Sequence, residues 1–317
     1  MRSPVAVIDI GSNSIKLLVA ARDTAGNLQA LQQATLDVRI SAGLSRARPF
    51  LGETGMADGL AAIPQLLALA APFQPDRTIL VATSAVRDAE NGAEFRTRVA
   101  AATGQTVRIL TGDEEAGLIG RGLLCDPALA GFENFYVFDL GGGSLECLSF
   151  HQQRIVQALS LRLGCVRLTE QFVADVATPF SDQARAAVAG HTRAELVRSG
   201  FRFDVPGGRA VFAGGSMTTA RAILAARAGR PLAETPPVLS LLEIRVLLDT
   251  LAALPLAARR SIPGLPAARA DVFPTALATM LAVAETGGLT AFHHSFYNLR
   301  WGLAAEALGQ GQSTGPR

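Results

Sequence analysis

Along this chain short β-prone apolar runs alternate with stretches in which apolar residues recur at helical spacing. In the first half the pattern predicts strands over residues 5–10, 15–21, 28–39, 78–83 and 106–110, with helices near 57–71, 92–102 and 113–123. In the second half it predicts strands over 135–140, 145–150, 154–161 and 209–213. Helices follow near 165–174, 181–198, 216–228, 240–253 and 270–286, and a last one over about 298–308. Two helix starts carry a capping box, Thr111 with Glu114 and Ser240 with Glu243. Each half reads as an α/β unit, and 317 residues suffice for two such cores.

The halves share one phrase. "VIDIGSNSIKLLVA" (Val7 to Ala20) and "VFDLGGGSLECLSF" (Val137 to Phe150) align position by position at a spacing of 130 residues. Asp9 falls on Asp139, Gly11 on Gly141, Ser14 on Ser144 and Lys16 on Glu146. In both copies a strand enters small residues and leaves as another strand, which predicts a hairpin and excludes a Rossmann or Walker loop, since no helix follows. The turns, Gly11, Ser12, Asn13 and Ser14 in one and Gly141, Gly142, Gly143 and Ser144 in the other, offer backbone N–H groups and hydroxyls to an anion. A leading Asp cannot touch a phosphate directly. A cation must stand between them, and Mg²⁺ suits carboxylate, water and phosphate oxygen, which makes Asp9, Asp139 and Glu146 candidate ligands.

A third stretch, "AVFAGGSMTTARAIL", places Gly214, Gly215 and Ser216 between a strand and a helix, another position that favours anions. Arg87 in "TSAVRDAEN" follows a strand, where its planar fork is suited to gripping phosphate; pairing with Asp88 or Glu90 is the structural alternative. In "TGDEEAGLI" the capping box occupies Glu114, while Glu115 points about 100° away and has no such local task.

Composition narrows the classes. Net charge is +2 and Lys16 is the sole lysine, a balance too mild for a general nucleic-acid binder but rich in arginine forks. Three cysteines without a CxxC pair and four histidines without ligand spacing disfavour disulfides and His/Cys metal sites. The longest apolar run, Leu60 to Phe73, is short and contains Pro64, so no membrane span is expected. No leader pattern opens the sequence, and a cytoplasmic setting is expected.

Two hairpin loops and a Gly-Gly turn resemble the phosphate site of the actin, sugar kinase and Hsp70 superfamily. More narrowly, "IDIGSNSIKLL", "VATSAVRDAENGAEF", "ILTGDEEAGLI", "FDLGGGSLE", "LSLRLGCVRLTEQF" and "RADVFPTAL" together resemble the exopolyphosphatase / guanosine pentaphosphate phosphatase (Ppx/GppA) family in its short, two-domain form. The resemblance implies two actin-like (ribonuclease H-like) domains, 1–124 completed by 298–309 and 125–297, with an active site in the cleft between them and a disordered tail at 310–317. It implies Mg²⁺-dependent release of terminal orthophosphate from inorganic polyphosphate, pppGpp or both, with Glu115 acting on the attacking water. Polyphosphate or guanosine penta- or tetraphosphate would be the partner, neither nucleic acid nor membrane, and a homodimer is compatible. The rival readings are an ATP-dependent small-molecule kinase of the same superfold and a nucleotide-driven switch. Arg162 and Arg167 are candidates for guiding a longer anionic chain, whereas Arg39, Arg46, Arg269 and Arg300 are scattered and assigned to the surface. The sequence departs from the family at Leu145, at Met217 and in "VRISAGL" (Val38 to Leu44), which bears on substrate preference.

Overall fold

The computed structural model describes residues 3–42 and 49–309. Its elements in chain order are β1 (Val5–Ile10), β2 (Ile15–Arg22), β3 (Leu28–Leu36), α1 (Glu53–Ala70), β4 (Arg77–Ala82), α2 (Ser84–Asp88), α3 (Gly92–Thr103), β5 (Val107–Ile109) and α4 (Gly112–Leu123). There follow β6 (Phe135–Leu140), β7 (Leu145–His151), β8 (Arg154–Leu161), α5 (Cys165–Phe172), α6 (Asp182–Ser199), β9 (Arg209–Ala213) and α7 (Gly214–Arg227). The chain closes with β10 (Val238–Ser240), α8 (Leu241–Ala252), α9 (Leu256–Arg259), α10 (Phe273–Gly287), β11 (Ala291–Ser295) and α11 (Leu299–Ala307). Two compact units result, one up to Leu129 and resumed from Tyr297, the other Ala130–Phe296.

The first unit holds a sheet in the order β3-β2-β1-β4-β5 and the second a sheet in the order β10-β11-β9-β6-β7-β8. In both, an antiparallel meander of three strands (β1–β3; β6–β8) is extended by strands parallel to its first member (β4 and β5; β9 and β11). The repeated phrase is thus a repeated fold. Even the register shifts agree, between Val19 and Ala20 in β2 and between Ser149 and Phe150 in β7, again 130 residues apart. Helices cover each sheet because its faces are apolar: Ile8, Ile10, Leu17 and Phe95 lie in the core of the first unit, Phe138, Phe212, Leu277 and Phe292 in that of the second.

Several predicted elements shift. β3 ends at Leu36, three residues early, and α1 starts at Glu53, four residues before its predicted start. Gly55 and Gly59 in this first stretch of α1 are tolerated because the helix lies close on its neighbours: a Cβ on Gly59 would stand 3.1 Å from the Phe95 ring. Together with the turn that follows, Glu53–Phe73 has the length and composition of a membrane-crossing helix, a test that a core helix also passes. Here its Met56, Ile63 and Leu66 face is buried in the core of the first unit. The short helix α2 and the strands β10 and β11 were not predicted. α11 returns to the first unit and packs on α4 at near backbone contact: a Cβ on Gly122 would fall 2.1 Å from the Asn298 carbonyl oxygen, and one on Gly302 would fall 1.9 Å from that of Leu118. Arg46, Leu44 and the 310–317 tail lie outside the described residues.

Candidate active site

In the first unit the carboxyl ends of β1, β4 and β5 carry the candidate residues. Asp9 faces Lys16 and Ile10 faces Ile15 across the first hairpin, whose turn closes through the Gly11 N–H donating to the Ser14 carbonyl at 3.2 Å. Ser12, Asn13 and Ser14 are all buried. Ser12 Oγ lies 3.1 Å from Ser84 Oγ, which joins this turn to the start of α2. Burial raises the pKa of Asp9, opposed by the positive charges of Lys16 and Arg300, and its Oδ1 has no hydrogen-bond partner. Lys16 therefore acts on Asp9 from directly across the hairpin. Arg300 is not on the surface: it is buried, and its Nη1 donates to the Leu17 carbonyl at 2.8 Å.

α2 brings Arg87 to Glu115. The Arg87 Nη1 donates to Glu115 Oε2 at 2.7 Å and to the Leu110 carbonyl at 3.0 Å, while Asp88 stands 3.7 Å from its Nε. Sequence treated the two residues as independent candidates, and the structure makes them one ion pair. The division of labour in "TGDEE" holds. The Glu114 side chain accepts from the Thr111 N–H at 2.8 Å while Thr111 Oγ1 accepts from the Glu114 N–H at 3.2 Å, and the Thr111 N–H with Arg108 lowers the Glu114 pKa to about 2. Glu115 turns inward and is buried, only 6% exposed.

The second unit repeats the hairpin with different bracing. Asp139 pairs with Glu146, Leu140 with Leu145, and the Gly141 N–H closes the turn on the Ser144 carbonyl at 3.0 Å. The carbonyls of Gly141 and Gly142 accept from the N–H groups of Cys165, Val166 and Arg167 at the start of α5, and the Gly143 carbonyl accepts from Arg167 Nε. Gly164 permits this approach, since its Cβ would lie 2.3 Å from Gly142 and Gly143. Arg167 thus braces the loop it was expected to lie beyond, and Arg162 lies in the connection from β8 to α5.

α7 begins at Gly214, so the Gly-Gly-Ser stretch is the first helical turn and not a loop before it. Gly214 is required twice over: its φ is +82°, and a Cβ would sit 2.1 Å from Asp139 Oδ1. Arg269, assigned to the surface by sequence, has its guanidinium against Gly215, 2.4 Å from where a Cβ would be. Beneath the turn, Arg221 Nη1 donates to His294 Nδ1 at 2.7 Å, so the imidazole N–H is on Nε2, directed at Thr218 Oγ1 at 3.2 Å. Thr218 in turn donates to the Gly214 carbonyl at 3.0 Å. Burial and Arg221 push the His294 pKa down to about 3. His294 lies on the unpredicted strand β11. Ser216 donates to the Leu140 carbonyl, and Met217 is fully buried core, so that departure from the family pattern does not face a ligand.

Hard oxygen donors are present for Mg²⁺. Asp139 and Glu146 are direct cross-strand partners, Glu146 is buried with Oε1 accepting from Ser160 Oγ at 2.8 Å, and Mg²⁺ commonly takes one or two carboxylates beside water and phosphate oxygens. Among the described residues no group of three or more His, Cys, Asp or Glu side chains forms a closed metal cage. An open site of two carboxylates fits Mg²⁺ better than it fits Zn²⁺.

Comparison with known proteins gives the family and the fold. The Ppx/GppA phosphatase family matches residues 18–310 of the chain. An exopolyphosphatase from Cytophaga hutchinsonii superposes with a TM-score of 0.85 at 23% identity, over 96% of this chain and 97% of that one. The Ppx/GppA family member from Aquifex aeolicus superposes with a TM-score of 0.78 at 25% identity, over 98% of this chain and 99% of that one. With the family spanning nearly its whole length, and with both hairpins and the Arg87–Glu115 pair in place, this chain belongs to the Ppx/GppA phosphatase family.

Proposed function

We propose that the protein is a Mg²⁺-dependent phosphoanhydride hydrolase of the cytoplasm that removes terminal orthophosphate from inorganic polyphosphate, pppGpp or both. The observation that carries this reading is the buried Glu115 fixed by Arg87, on the same strand ends as a turn of small residues with phosphate-binding chemistry. Glu115 orients the attacking water and accepts its proton, help worth about 10²–10⁴-fold. Arg87 locks the carboxylate's rotamer with Nη1, and Nη2 of its fork is the donor proposed for a phosphoryl oxygen. Each unit by itself offers N–H and hydroxyl donors to phosphoryl charge, the first from Gly11–Ser14 and the second from Gly141–Ser144 and the start of α7. Asp139 and Glu146 would hold Mg²⁺, and the bound ion would supply positive charge to phosphoryl oxygens; Asp9 is the candidate ligand of the first hairpin.

Phosphate release from polyphosphate, pppGpp and ATP, measured side by side with and without Mg²⁺, tests the reading. Stepwise loss of orthophosphate from a defined-length polyphosphate is the expected result. Mid-chain fragments appearing first would overturn it, and rapid cleavage of pppGpp alone would assign the nucleotide as substrate. Phosphate transfer from ATP to a small molecule would replace hydrolase by kinase.

A further inference from the structure

Arg39, in the segment after β3, reads as surface from sequence, yet this segment is bound to the first hairpin turn at successive points. The Ser41 N–H and Oγ both donate to the Ser12 carbonyl, at 3.3 and 3.0 Å, and Arg39 Nε donates to Asn13 Oδ1 at 2.8 Å. Ile40 between them is fully buried and anchors the segment on α1, where Gly55 and Gly59 leave it room. A guanidinium Nε–H can only donate, so its partner on a side-chain amide must be the oxygen. The amide of Asn13 is therefore fixed with Oδ1 toward Arg39 and Nδ2 turned away. That Nδ2 carries two N–H donors, is buried and has no hydrogen-bond partner, in a side chain only 7% exposed. A buried donor left unmet is costly, and the turn that holds it is built for anions.

We propose that Arg39 is a positioning residue: it sets the orientation of the Asn13 amide so that Nδ2 is presented to a phosphate oxygen of the substrate. Arg39 acts through Asn13 and does not itself hold the phosphate. This rests on the hydrolase reading above, since a phosphoryl group is the acceptor it requires. The flipped amide would offer Oδ1 to the phosphate and repel it.

The test is a double-mutant cycle read by calorimetric binding of tripolyphosphate to the full chain at fixed Mg²⁺, with thermal midpoints recorded for every variant. Asn13→Ala should weaken binding about 10-fold or more, the scale of one hydrogen bond to a charged group. Arg39→Met should weaken it about 3- to 10-fold alone, but by less than about 2-fold in the Asn13→Ala background, because the residue it orients is gone. Arg39→Lys, still a donor, should recover part of the loss. Asn13→Asp keeps an acceptor toward Arg39 and removes the Nδ2 donors, so it should lose tripolyphosphate at an undiminished thermal midpoint. Additive effects of the two positions would show that Arg39 acts by charge alone and overturn the proposal, as would wild-type binding by Asn13→Asp. If wild-type protein bound no tripolyphosphate, the hydrolase reading would fall with it; wild-type binding with an additive cycle would remove the Arg39 role alone.

Discussion

The two hairpins share a backbone and differ in charge. Asp9 faces Lys16 across the first, and Asp139 faces Glu146 across the second, at the same register and with the same turn closure. The first is neutralised from within, by Lys16 and by Arg300 behind it; the second gathers two carboxylates on one cross-strand pair. The bracing differs too. Arg39, Ser41 and Ser84 hold the first turn through side chains, whereas the start of α5 holds the second chiefly through backbone N–H groups. Duplication kept the shape of the phosphate turn and freed its chemistry to diverge. One copy is joined through Ser84 to the helix that carries Arg87, the partner of Glu115, and the other sets two carboxylates side by side.

The sharpest way to break this division of labour is at the base. Glu115→Gln should lower kcat by about 10²–10⁴-fold with tripolyphosphate binding nearly intact. Normal turnover would show that the water is activated elsewhere, in the second unit or by the substrate. Next in size, Glu146→Lys gives the second hairpin the charge of the first, and turnover should fall about 10²-fold while added Mg²⁺ no longer stimulates. A swapped variant that keeps its Mg²⁺ response would erase the distinction between the two copies. Asp139→Asn should raise the Mg²⁺ needed for half-maximal activity about 10–100-fold, and Asp9→Asn should raise it less, since Lys16 and Arg300 already compensate Asp9. Equal shifts in both titrations would mean that Lys16 and Arg300 do not compensate Asp9 as argued.

Smaller effects come from stability. The folded pKa of His294, about 3, lies below its usual 6.5, so its contribution is present above pH 6.5 and is lost as pH falls from there toward 3. Acid titration of thermal stability should therefore be shallower between those values in His294→Gln, provided the variant folds. Glu114, with a folded pKa of about 2 against 4.5, contributes above pH 4.5 and loses that contribution as pH falls toward 2. Glu114→Ala should cost only about 2–4 °C in the midpoint at neutral pH and leave kcat alone, in contrast to its neighbour Glu115.

What sequence revealed was local. The hairpins, the two capping boxes and the separation of Glu114 from Glu115 each depend on residues a few positions apart, where turn chemistry and periodicity act directly. What it missed depends on distant chain. Arg300 reaches the first hairpin from near the end of the sequence, Arg269 reaches Gly215 from before α10, and Arg39 looked like surface because its partner, Asn13, is 26 residues earlier. β10 and β11 escaped because three and five residues carry too little alternation, and the paired histidines of "AFHHS" conceal a strand buried beside β9. Arg87 and Glu115 were both found, but not their bond, since sequence holds no distance between α2 and α4.

The crossing of α4 and α11 puts the biosynthesis of this chain in a particular light. α4, with Glu115 in its first turn, leaves the ribosome before any of the second unit, yet the helix that meets its glycine face at Gly122 is made only after that unit. A nascent chain or a fragment ending before Leu299 already holds Arg87, Glu115 and both hairpins, but exposes the α4 face that Gly302 should cover. The crossing therefore ties the first unit to the synthesis of the second: the helix that carries Glu115 is covered at Gly122 only after the whole of Ala130–Phe296 has been made.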